Sequence, residues 1–111
     1  PAAPGAIMDA AEAALGGVDV LVVCASIQHR VDFADVTYEQ IERETRINFS
    51  ATIALMQRAI PPMRARSWGR VLTIGSINQV RPEKSLAVYA ALKSAQANLV
   101  AAFAADSVRD G

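Results

Sequence analysis

The chain has 111 residues, of which 52% are hydrophobic, and its 11 basic side chains balance 11 acidic ones. This length allows at most one domain, and zero net charge provides no basic surface for nucleic acid or an anionic membrane. No run appears long and apolar enough on composition to span a membrane. The first residues lack the basic and apolar regions of a signal peptide, so the sequence predicts a cytoplasmic protein.

Cysteine and histidine usage argues against disulfide and metal chemistry. The single cysteine, Cys24, excludes an internal disulfide, and its place in an apolar run predicts a buried structural thiol. The single histidine, His29, has no Cys or His neighbours at metal-ligand spacing. We therefore expect no metal site.

The first third of the chain predicts a helix followed by a strand. After a frayed start at residues 1–4, the alanine-rich residues 6–15 predict a short helix that Gly16-Gly17 should end. Residues 18–25 are a nearly continuous β-branched run. Such a run is typical of a strand buried on both faces, as in a parallel sheet covered by helices.

The central part predicts a polar loop and a long helix. Residues 26–36 form the loop, and Thr37 followed by Gln40 is a capping-box pattern that opens a helix. The helix should run to about residue 60, because Pro61-Pro62 should kink or end it.

A second apolar strand is predicted at residues 70–75, and an alanine-rich helix at residues 86–108. Strands that alternate with helices predict the α/β class, with right-handed crossovers and a parallel sheet. Two strands are too few to complete such a sheet.

The chemically informative stretch runs from Ser76 to Lys93. Tyr89 and Lys93 are four residues apart, so on a helix they share one face, where the ammonium stabilises a phenolate. Such a tyrosine can act as a general acid/base in alcohol–carbonyl chemistry. Ser76 follows the second strand at the edge where open α/β sheets bind ligands. The alternative is that a solvated lysine lies beside a packed tyrosine.

Asn48, Ser76, Tyr89 and Lys93 together resemble the short-chain dehydrogenase/reductase family, whose Asn, Ser, Tyr and Lys occur in this order and at similar spacings. The resemblance implies a doubly wound, Rossmann-like sheet and an enzyme that uses NAD or NADP. It implies that Tyr89 transfers the proton, Lys93 tunes Tyr89 and holds the nicotinamide ribose, and Ser76 binds the substrate oxygen. Asn48 would hold a water near Lys93. The alternatives are that Asn48 satisfies a kinked helix and that Ser76 caps a turn.

The sequence departs from the family pattern at the cofactor loop. Where the family commonly has Asn-Asn-Ala-Gly, this chain has Val23-Cys24-Ala25-Ser26. We expect Cys24, Ala25 and Ser26 to approach the cofactor through their backbone, together with Tyr89 and Lys93. The altered motif favours a rival interpretation, a non-catalytic dinucleotide-binding or assembly protein that retains the fold.

The predicted substrate side chains lie in the two loops after the strands. Gln28 and His29 in the first loop, and Asn78 and Gln79 in the second, suit a substrate with several hydroxyls better than a lipid.

Residues 1–111 are interpreted as the central part of such a domain. No Gly-x-x-x-Gly-x-Gly segment precedes residue 18, and the family's later strands have no counterpart here. By resemblance, the two long helices should pair with those of other subunits, which predicts a homodimer or homotetramer.

Overall fold

A computed structural model describes residues 2–109. The principal elements are α1 (Ala2–Leu15), β1 (Val20–Val23), α2 (Tyr38–Thr45), a π-helical turn (Arg46–Ser50), α3 (Ala51–Ala65), β2 (Arg70–Thr73) and α4 (Ala87–Ser107). Short 3-10 turns lie at Phe33–Asp35, Ile77–Gln79 and Lys84–Leu86. The two strands are parallel, with Val20 opposite Arg70 and Val23 opposite Thr73. The predicted α/β class and parallel pairing are therefore confirmed.

The predicted helix boundaries at α1 and α2 follow local chemistry. Gly16 has φ +74, and its N–H donates to Glu12 O at 2.9 Å, which closes α1. The capping box at α2 is also confirmed, since Gln40 N–H donates to Thr37 Oγ1 at 3.3 Å and Thr37 N–H donates to Gln40 Oε1 at 3.0 Å. The frayed start was a wrong expectation for the described residues, because α1 begins at Ala2. Pro4 is compatible with this start, since first-turn N–H groups have no partner within a helix.

Pro61 and Pro62 do not end α3, although the sequence predicts that they kink or end this helix. Both lie inside α3, which continues to Ala65. In a helix, these prolines leave the carbonyls of Gln57 and Arg58 without their usual N–H donors. Both of those residues are exposed, so water can satisfy the carbonyls and the helix can continue.

The core lies between one face of the sheet and the helices. It is formed by Met8, Leu21, Val23, Leu55, Met56, Ala59, Ile60 and Met63. The opposite face is uncovered within residues 2–109, with Val20 48% and Val22 54% exposed. The expectation of a strand buried on both faces is therefore wrong for the described part of the chain.

Cys24 is exposed, so the prediction of a buried thiol is also wrong. Side chains alternate between the faces of a strand, and Cys24 continues the series of Val20 and Val22 on the uncovered face. The thiol therefore lies at the open side of the sheet, one residue beyond β1.

Helix α4 is the longest described helix. An 18-residue window within Lys84–Ser107 has a mean hydropathy of 1.2, and length and composition alone would allow this segment to cross a membrane. The expectation that no run meets these two criteria is therefore wrong. The core helix of a soluble protein can meet both criteria too, and α4 carries Lys93 and Gln96 buried within the fold.

Candidate functional site

The candidate site lies at the edge of the sheet where both strands end. Because β1 and β2 are parallel, the loops after Val23 and Thr73 leave the sheet at the same edge. The N–H of Ile74 donates to Val23 O at 3.0 Å and extends the pairing beyond the last ladder residues. Ser76 comes two residues later and Cys24 immediately follows β1, so the sheet brings both loops together.

Helix α4 brings Tyr89 and Lys93 to this edge. The Nζ of Lys93 lies 5.8 Å from the centre of the Tyr89 ring and donates to Ile74 O at 2.7 Å. Lys93 is only 3% exposed, whereas Tyr89 is half-buried. No hydrogen bond from the Tyr89 hydroxyl to any residue in 2–109 is observed. The phenol therefore borders a buried cation and has its hydroxyl free for a ligand.

Ser76 caps the turn Ile77–Gln79, as the alternative interpretation predicted. Its Oγ accepts from the N–H of Asn78 at 3.2 Å, and its own N–H donates to Gln79 Oε1 at 3.1 Å. A serine hydroxyl accepts and donates at once, so this contact leaves its proton free for a substrate oxygen. Among the described residues, no hydrogen bond joins Ser76 directly to Tyr89.

Asn48 lies in the π-helical turn and is completely buried. Its Oδ1 accepts from the backbone N–H of Ile27 at 2.8 Å and from the Ser26 hydroxyl at 3.2 Å. Its Nδ2 donates to Ile27 O at 2.7 Å. The side chain thus fixes the loop after β1, including one of the predicted cofactor-binding residues.

The four predicted substrate side chains lie in the two loops, but three of them hold the protein's own structure. Asn78 Oδ1 accepts from the N–H of Glu83 at 2.8 Å, and Gln79 Oε1 is occupied by Ser76. His29 Nδ1 lies 2.8 Å from Glu44 Oε1. Gln28 is exposed. Any contact of these residues with substrate must therefore use their remaining polar atoms.

Three buried polar residues near the site were not predicted from sequence, namely Glu44, Thr52 and Gln96. Glu44 Oε1 accepts both the backbone N–H of His29 at 2.9 Å and the His29 ring contact, and so anchors the first loop from α2. Within residues 2–109, no hydrogen bond reaches its buried Oε2. The signal in the sequence was the spacing, because Glu44, Asn48 and Thr52 recur every four residues and Gln96 lies one turn after Lys93.

The donor set of the site suits the ribose end of a dinucleotide. Lys93 has three N–H donors, of which two are used by Ile74 O and Gln96 Oε1. The third N–H has no acceptor among the described residues. Cys24, Ala25 and Ser26 are exposed at the same edge, so their backbone can approach a ligand.

Comparison with known proteins identifies the family of this chain. Residues 2–111 match the family model described as short chain dehydrogenase. The chain is 33% identical over 100 residues to nodulation protein G of Azospirillum brasilense, covering 90% of this chain and 41% of that protein. A 3-oxoacyl (acyl-carrier-protein) reductase from Agrobacterium tumefaciens C58, solved with NADP bound, superposes with a TM-score of 0.92 at 40% identity, over 97% of this chain and 42% of that one.

A gluconate 5-dehydrogenase from Burkholderia cenocepacia J2315, solved with NADP and tartrate, gives a TM-score of 0.90 at 30% identity, again over 97% of this chain and 42% of that one. The chain thus spans about two fifths of the length of these proteins. The family match covers nearly every residue, and the neighbours share the parallel sheet and its helices. This chain belongs to the short-chain dehydrogenase family.

Proposed function

We propose that this chain carries the proton-transfer centre of an NAD(P)-dependent oxidoreductase that interconverts a secondary alcohol and a ketone. The observation that supports this most directly is the Lys93 ammonium, buried 5.8 Å from the ring centre of Tyr89. A tyrosine hydroxyl beside this lysine can take a proton from an alcohol or give one to a ketone.

When bound, the dinucleotide supplies the hydride chemistry. In oxidation, Tyr89 would take the hydroxyl proton of the alcohol, and a bound dinucleotide would supply the acceptor for the hydride of the carbinol carbon, so that the C=O bond could form. In reduction, Tyr89 returns that proton to the oxygen. Ser76 donates to the same oxygen and orients it.

The remaining residues of the proposal hold the cofactor and its loop. The third donor of Lys93 binds the ribose, and the backbone of Cys24, Ala25 and Ser26 lies along the cofactor. Asn48 keeps this loop in place through its contacts with Ile27. The NADP of the two structural neighbours makes NADP the first cofactor to test, with NAD as the second.

The polar loops after the two strands and the names of the related proteins support a small, hydroxylated alcohol or ketone as substrate. His29 and Gln28 present polar groups beside the edge of the sheet, which favours a hydroxylated substrate. The neighbours named 3-oxoacyl reductase and gluconate 5-dehydrogenase support a small ketone or alcohol. Gluconate and 3-hydroxybutyrate are therefore suitable first probes.

The rival function is that of a non-catalytic dinucleotide-binding or assembly protein, which the motif Val23-Cys24-Ala25-Ser26 favours. Turnover separates the two. The full-length parent, meaning the complete protein that contains residues 1–111, should oxidise a probe alcohol with NADP or NAD. Tyr89→Phe should abolish this oxidation while dinucleotide binding persists. Binding of the dinucleotide without turnover of either probe by the wild type would favour the rival.

A further inference from the structure

Gln96 links the active-site lysine to the π-helical turn. Its Oε1 accepts from Lys93 Nζ at 3.3 Å. Its Nε2 donates to Asn48 O at 3.3 Å and to Thr52 Oγ1 at 2.8 Å. Gln96 is 1% exposed, and Asn48 and Thr52 are fully buried, so this network is shielded from water. The backbone carbonyl of Asn48 and the lysine are thus connected by a protein amide.

Packing alone does not explain why a glutamine occupies this buried position. Helix α4 is rich in alanine, and an apolar side chain at a buried position needs no hydrogen-bond partners. Gln96 instead buries an amide whose oxygen and nitrogen both form hydrogen bonds. An amide also accepts from an ammonium without cancelling its charge, which a carboxylate would do.

We infer that Gln96 is a positioning residue that holds the Lys93 ammonium beside Tyr89 while leaving its positive charge undiminished. The inference rests on the proposed function for its catalytic consequence. The carbonyl of Ile74 and the side-chain amide of Gln96 are two neutral acceptors for Nζ, so Gln96 restrains the position of the ammonium without adding a negative charge beside it.

The effect of a charge at position 96 can be tested because few titratable groups of the described residues lie near Lys93. Tyr89 is the titratable neighbour on α4 itself. The other contacts of this network are the carbonyl of Ile74 just after β2, the carbonyl of Asn48 in the π-helical turn and the hydroxyl of Thr52 in α3. The pair His29 and Glu44 faces the first turn of α4, beside Ala87 and Val88.

Competitive acetylation of the full-length parent with acetic anhydride, followed by peptide mass spectrometry, tests the contact without any need for turnover. In Gln96→Leu, Lys93 should be acetylated at least about fivefold faster than in the wild type, because the hydrogen bond from its ammonium to Gln96 Oε1 is lost. Gln96→Glu retains an acceptor and should restore protection. Val100→Ala, one turn further along α4 and packed on the core, is the matched control for a loosened helix.

The catalytic consequence is read from kcat/KM against pH in alcohol oxidation with the probe that the wild type uses. Gln96→Leu should lower kcat/KM about tenfold at every pH. Gln96→Glu should instead move the acid limb to higher pH, because a nearby carboxylate disfavours loss of the proton from a phenol.

Equal acetylation of Lys93 in Gln96→Leu and Val100→Ala would overturn the inference, and so would a Gln96→Glu pH profile that superposes on the wild type. Absence of turnover in the wild type would refute the proposed function, while the acetylation result would still decide whether Gln96 holds Lys93.

Discussion

Asn48 gives the prediction whose magnitude follows most directly from the structure. Its buried side chain makes three hydrogen bonds, two of them to the backbone of Ile27. Each such bond contributes about 1 kcal/mol net, and removing one partner leaves the other unpaired. We therefore expect Asn48→Ala to lower the free energy of unfolding of the full-length parent by about 3 kcal/mol.

Chemical denaturation followed by circular dichroism is the assay. The matched control is Asn98→Ala, since Asn98 is exposed on α4 and its side chain makes one hydrogen bond within residues 2–109, to Ser94 O at 3.2 Å. This control should cost less than about 0.5 kcal/mol. Asn48→Asp keeps an acceptor for Ile27 N–H but loses the donor for Ile27 O, so it should also destabilise. An Asn48→Ala variant no less stable than Asn98→Ala would refute the idea that this side chain fixes the loop.

The other predictions concern catalysis, assembly, the activity of residues 1–111 alone, and the pH dependence of stability. Tyr89→Phe should lower turnover by at least about 10²-fold with an unchanged circular dichroism spectrum, because only the hydroxyl is lost; a variant that keeps most of the wild-type rate at saturating cofactor contradicts the role proposed for it. The full-length parent should sediment as a dimer or tetramer through α3 and α4, and a monomer at micromolar concentration would exclude this pairing. Residues 1–111 expressed alone should not reduce a ketone, because they contain no glycine-rich phosphate loop; micromolar binding of NADPH in a fluorescence titration, together with ketone reduction, would show that further segments are dispensable. The hydrogen bond from Arg30 lowers the pKa of Glu83, so the stability that this pair adds is fully present above the ordinary glutamate pKa and is lost as the pH falls through the lowered value. Glu83→Gln should remove this part of the acid dependence in unfolding measured from neutral pH to about pH 3, and an unchanged dependence would contradict it.

Patterns that depend on near neighbours in sequence were predictable. The capping box of Thr37 and Gln40 and the closing glycine of α1 are formed within one turn, so composition and spacing are sufficient to find them. Tyr89 and Lys93 share a helix face for the same reason.

Features set by distant segments or by solvent were not predictable. The exposure of Cys24 depends on which face of the sheet is covered. The continuation of α3 through Pro61 depends on water reaching the carbonyl one turn earlier. The contact between Gln96 and Asn48 spans 48 positions, and the one-turn spacing of Gln96 from Lys93 does not show which distant backbone group its amide reaches.

The π-helical turn at Arg46–Ser50 makes the length of this segment as important as its composition. A π-helical turn takes more residues per turn than an α-helix, so Glu44 and Thr52, eight residues apart, are both buried on one side of the helix. With α-helical winding at the same length, Thr52 would be rotated about 80° past Glu44, and Leu55 would turn away from the core. The extra residue in this turn therefore keeps two consecutive helices aligned on one buried face while it places Asn48 beside the loop after β1.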